Sequence, residues 1–157
     1  MRSITSRPVL AALAGCFLML WSGDKNVVEA QRRTPIVVTR IYTGADGQTH
    51  TSEIDVKLTP LAGKLEQGLA LSETTKVSGS QFMRWSPGYV NDWHPARQRQ
   101  YLITLSGRGE LELVGGQKIR LEPGRILLAE DVTGKGHITR TLGTEDCILL
   151  LVHLADQ

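Results

Sequence analysis

From residue 81 onward, glycine-rich breaks cut the chain into short runs of alternating polarity, and this rhythm constrains the fold more than any other feature. The runs are QFMRWS (81–86), QYLITLS (100–106), ELELV (110–114), KIRL (118–121), RILLAED (125–131), HITRT (137–141) and CILLLVHL (147–154). Between them stand Pro87-Gly88, Gly107-Arg108-Gly109, Gly115-Gly116, Pro123-Gly124, Gly134-Lys135-Gly136 and Gly143. Such runs are too short for stable helices, and a period of two fits half-buried strands. Evenly spaced short strands with glycine-rich turns predict an all-β sandwich or barrel and argue against a parallel α/β sheet.

Upstream, TPIVVTRIYT (34–43) reads as one arm of a hairpin, with a second arm in which Ile54, Val56 and Leu58 alternate with Glu53, Asp55 and Lys57. Asp46-Gly47 supplies the positive-φ residues that a tight turn requires. Thr59-Pro60 reads as a helix start, with Leu61, Leu65 and Leu69 on one face. Gly63 and Gly68 limit that helix to one or two turns. Tyr101 to Leu105 and Ile148 to Leu154 are apolar on both faces, unlike an antiparallel strand with one wet face. The outer face of one sheet is therefore expected to be covered, by the N-terminal hairpin or by a second subunit in a homodimer.

At the N-terminus, Arg2 and Arg7 precede an apolar run from Val9 to Trp21, which at about 1.5 Å per residue is too short to span a bilayer. Val28-Glu29-Ala30 offers a small-x-Ala cleavage site. This predicts a signal peptide over 1–30, a single mature domain over 31–157, and an exported protein, periplasmic or secreted. Leu13-Ala14-Gly15-Cys16 gives a second reading, a bacterial lipobox with lipid on Cys16. Cleavage after Ala30 leaves one cysteine, Cys147, so the domain must hold without an internal disulfide. Cys147 opens an apolar run and reads as a small buried hydrophobe. Eighteen basic residues against sixteen acidic give a net charge of +2. With no charge run, this argues against a nucleic-acid partner.

Two segments share a pattern of glycine and histidine spacing. GYVNDWHPARQRQYLITLSG contains Gly88, His94 and Gly107, and GRILLAEDVTGKGHITRT contains Gly124, Gly134 and His137. Together they resemble the two motifs of the cupin family, over residues 88–141. Ala96 stands where the first motif has its second histidine, and Gln100 where it has glutamate. Val132 and Thr141 replace the second motif's proline and asparagine. The resemblance implies a small single-domain microbial cupin, a double-stranded β-helix or jelly-roll barrel.

In metal-bearing cupins the corresponding residues hold one divalent ion, and imidazole with carboxylate suits Fe, Mn, Zn, Ni or Cu. His94, Gln100 and His137 form an incomplete version of that set, which Glu130 or Asp131 could complete. Without a metal, His94 and His137 would be general acid and base. Trp85, Tyr89, Trp93 and Tyr101 are candidates for a ligand-binding rim around Gln100. His50 lacks a motif position, and His153 is in phase with Cys147, Leu149 and Leu151, which reads as a strand-end or interface residue. Arg97 and Arg99 have the parity opposite to Gln100 and should point away from its cavity. An inward Arg84 or Arg140 would favour an acidic ligand.

Together with the N-terminal signal, the resemblance implies an exported cupin binding a small organic ligand in its barrel, with metal-dependent oxygenase or isomerase chemistry among the family's activities. A non-catalytic sensor without metal and a structural jelly-roll dimer are the alternatives, since a fold does not choose a reaction.

Overall fold

Period-two alternation becomes strands throughout the residues that the computed structural model describes, which are 35–62 and 68–155. The expected export signal and Cys16 lie outside them. From Pro35 onward the chain forms one compact unit. Its strands are β1 (Val37–Thr43), β2 (Thr49–Asp55), β3 (Thr59–Pro60), β4 (Ala70–Leu71), β5 (Val77–Trp85), β6 (Val90–His94), β7 (Gln100–Ser106), β8 (Gly109–Glu112), β9 (Lys118–Leu121), β10 (Ile126–Glu130), β11 (His137–Thr141) and β12 (Cys147–Leu154).

Three sheets result: a six-stranded one in the order β2-β1-β10-β7-β12-β5, a four-stranded one in the order β6-β11-β8-β9, and the small β3-β4 pair. Every pairing is antiparallel except β1 with β10. The two larger sheets share one core, built from Ile41, Leu102, Leu127, Leu149 and Leu151 on the six-stranded side and from Leu111, Ile119 and Leu121 on the other. Burying each such side chain contributes about 1.5–3 kcal/mol. This is the jelly-roll arrangement, an all-β double-sheet barrel.

Three details differ from the reading of the sequence. The hairpin does not lie over a sheet; it lengthens one, with β1 running parallel to β10 in the register Thr39 to Leu127 and Ile41 to Ala129. Alternation specifies which face a residue takes but not which strand is its neighbour. On β2 the inward side is Thr49, Thr51 and Glu53, opposite Thr43, Ile41 and Thr39, while Ile54 and Leu58 are exposed. Thr59-Pro60 pairs with Ala70–Leu71 as a strand instead of starting a helix; residues 63–67 of that expected helix lie outside the described ones.

Candidate histidine site

β6, which sequence patterning passes over because YVNDWH is polar and turn-like, carries His94 at its end. β11 begins with His137, and the two histidines are direct cross-strand partners. The next paired residues are Asn91 and Thr139, so Asp92 and Trp93 stand opposite Ile138 alone. Two residues against one is a β-bulge, a device that re-aims a side chain. Here it brings the imidazoles together, with ring centroids 4.6 Å apart and planes at 56°. Gly136, at φ 73°, lets the loop pass under β6, where a Cβ would collide with the His94 carbonyl.

The partners of each ring fix its tautomer. His94 Nδ1 lies 2.6 Å from the Asp92 carbonyl oxygen, which only accepts, so Nδ1 carries the proton. His137 Nδ1 lies 2.6 Å from Asp131 Oδ2 and likewise donates. In the neutral form of each ring the Nε2 lone pair is then the one left free. His137 and Asp131 are buried, and the Thr49 hydroxyl also donates to Asp131 Oδ2 at 3.1 Å. Asp131 Oδ1 is buried with no partner among the described residues. Burial, and then the charge that His137 would carry, hold His94 below the usual imidazole range, against the opposing pull of the Asp92 carbonyl.

Gln100 shares the inward parity of Leu102 and Thr104 on β7 and sits opposite His153 of β12. His153 faces inward with Cys147, Leu149 and Leu151, and its Nδ1 is buried without a partner among the described residues. It is thus a barrel-facing residue beside Gln100, not an interface residue. The in-phase alternation with three core residues was the available signal.

The expected aromatic rim is dispersed. Trp85 is buried in the core, aligned with Cys147, whereas His153 aligns with Gly79 six residues earlier on β5. That interval is about 20 Å of strand. Tyr89 stacks on Trp85, with centroids 5.9 Å apart, and its carbonyl accepts from the amide of Thr141, at the far end of β11 from His137. Tyr101 pairs with Leu128 and Val152, with parity opposite to Gln100, and so faces outward. Trp93 alone stays beside His94, with the Lys135 ammonium 4.2 Å from its ring centroid.

The donors do not fit a divalent ion. Ala96 is a buried methyl at the position of an imidazole. Glu130 is engaged outside the barrel by Arg40 and Arg99, which also settles Arg99 as an ion-pair residue. Asp131 lies behind the His137 ring, at Nδ1, rather than beside its free nitrogen. No cluster of three or more His, Cys, Asp or Glu suited to a metal occurs among the described residues. Two imidazoles without a carboxylate leave a dication's charge uncompensated. Neither of the two candidate arginines turns inward: Arg140 bonds Glu110 and Glu112 on the outer face, and Arg84 reaches Asp146.

The comparison with known proteins fits this frame. A family model for the cupin domain matches residues 81–153, the segment that carries both histidines. Residues 81–153 are a cupin domain. Among solved structures, a Cupin 2 conserved barrel domain protein from Salinispora arenicola is 18% identical with a TM-score of 0.39, over 46% of this chain and 59% of its own. A DMSP lyase structure is 24% identical at TM-score 0.41, over 48% and 37% respectively. A cupin domain from Bordetella pertussis is 16% identical at TM-score 0.41, over 53% and 91%. The match thus spans less than two thirds of the length of each of the first two proteins. No curated protein matches in sequence.

Proposed function

We propose that this cupin binds a small organic molecule at the barrel end where His94 and His137 meet, and that the pair handles a proton there without a divalent ion. The observation that carries this reading is the pair of committed Nδ1 atoms beside rings 4.6 Å apart. Each ring keeps an Nε2 lone pair able to accept a hydrogen bond or a proton from a ligand. Asp131 orients His137 and stabilises the imidazolium formed if Nε2 is protonated, and Thr49 holds Asp131 in turn. Gln100 and His153 add hydrogen-bonding groups on the facing sheet.

The test is a thermal-shift screen of small organic acids and divalent ions, with and without chelator, alongside elemental analysis. Organic ligands should raise the melting temperature, and His94→Ala should remove that shift. Metal content below about a tenth of an ion per chain is expected from the donor set. One ion per chain in protein purified without chelator would overturn the metal-free reading.

Two further statements belong to the same reading. Arg2, Arg7 and the apolar run Val9 to Trp21 support export with removal of residues 1–30, and the mass of the mature N-terminus separates cleavage after Ala30 from lipid on Cys16. The outer face of the six-stranded sheet supports a homodimer. Its cross-strand rows Ile126, Ile103, Leu150, Phe82 and Leu128, Tyr101, Val152 are apolar, and Phe82 is 76% exposed.

A further inference from the structure

β2 ends the six-stranded sheet and β9 ends the four-stranded one. Between them opens a groove of about 440 Å³ whose walls include Thr39, Thr51, Glu53, Gln117, Arg120 and Arg125, within the size range of small-molecule sites. It lies away from the histidine pair. Thr49, which holds Asp131 behind His137, and Glu53 are four residues apart on β2, about 13 Å of strand.

The groove presents both signs of charge side by side. Thr39, buried at its floor, donates to Glu53 Oε1 at 2.9 Å and so fixes that carboxylate. Arg125 Nη2 approaches the same oxygen only to 3.7 Å, too far for a hydrogen bond, so its donors stay available. Glu122, also on the wall, has no ion-pair partner among the described residues, and the side chains of Thr51 and Gln117 make no hydrogen bond there. Lys118 and Arg120, also on the wall, are ion-paired with Glu110, which leaves Glu53, Glu122 and Arg125 as the charges that face a ligand. A small zwitterion can set its ammonium against Glu53 and its carboxylate against Arg125. In an α-amino acid one carbon separates ammonium from carboxylate, which suits an open Arg–Glu pair of this spacing.

We propose that the β2–β9 groove binds a free α-amino acid with a polar side chain, its carboxylate on Arg125, its ammonium on Glu53, and its side chain toward Thr51 and Gln117. The site is independent of the reading of the histidine pair. Isothermal titration of the full chain with L-glutamine and L-serine tests it, with N-acetyl-L-glutamine and L-glutaminamide as ligands lacking one charge. Saturable binding is expected for at least one amino acid. Removing either ligand charge, or introducing Arg125→Ala or Glu53→Gln, should weaken it by about tenfold or more, the effect of losing one charge-assisted hydrogen bond. His137→Ala, with folding checked by circular dichroism, should leave it unchanged. No saturable binding by either amino acid, or binding indifferent to Arg125→Ala and Glu53→Gln, would overturn the proposal. So would binding lost in folded His137→Ala, because the ligand would then sit at the other end of the barrel.

Discussion

Asp131 shows how one buried carboxylate sets a site's chemistry. It accepts from His137 and Thr49 through a single oxygen, so its charge and geometry decide which imidazole nitrogen faces the cavity. Asp131→Asn should cost about 1–3 kcal/mol in urea unfolding. Nitrogen-detected NMR should then find His137 as a tautomer mixture; a ring still wholly protonated at Nδ1 would remove Asp131 from the account. His94 carries a second prediction. Its native proton affinity is lowered by burial and by His137, so as the pH falls through the unfolded imidazole value the unfolded chain takes up a proton that the native state resists. Stability should therefore fall as the pH drops below about 6.5, the unfolded imidazole value. Urea midpoints across that window should decline in the wild type and flatten in His94→Asn. The two histidines were legible from their glycine spacing. Asp131 was visible only as an acid on a loop, because nothing in a sequence says which nitrogen a carboxylate will meet.

Strands were the most legible elements, since one wet and one dry face impose a period of two. β7, β9, β11 and β12 fall where the alternation puts them. β6 was hidden because its bulge breaks that period just where His94 turns inward. Trp85 and Tyr89 misled for a related reason: alternation gives the face of a sheet, not the position along the barrel. Gly136 is the element-scale counterpart of Asp131. Its left-handed backbone and its closeness to the His94 carbonyl leave no space for a methyl group. Gly136→Ala should destabilise by about 1–3 kcal/mol or more and separate the histidines. Calorimetry measures the first effect, and loss of the organic-ligand thermal shift the second; a variant with unchanged stability would refute the close approach. On the opposite face of the barrel wall, burial raises the proton affinity of Glu130, but Arg99 and Arg40 outweigh it and hold the carboxyl below its ordinary value. Its contribution to stability should be present above about pH 4.5, the unfolded value, and lost as acid titrates the native carboxylate. Glu130→Gln should reduce the acid dependence seen below that point.

At the scale of the molecule, the doubly apolar strands implied a covered sheet, and the hairpin turned out to extend the sheet edge instead. Phe82, the exposed end of one outer apolar row, is left to another surface, which a second copy would supply under the proposed dimer. Phe82→Asp should convert a dimer to a monomer in sedimentation velocity while shifting the melting temperature little, because Phe82 is mostly in solvent within one chain. A monomeric wild type would end the dimer reading.

The parallel seam between β1 and β10 has a kinetic consequence. Thr43 and Thr133, joined across it, are 90 positions apart, whereas the pairings of β7 with β10 and β12 span 23 to 53 positions. Loops of that length close slowly and late. The hydroxyl that steadies Asp131 arrives with that closure, so the barrel should assemble before its histidines are set. In a refolding time course, amides bonded between β7 and β12 should gain protection ahead of those bonded between β1 and β10, with affinity for the organic ligand rising only in the second phase.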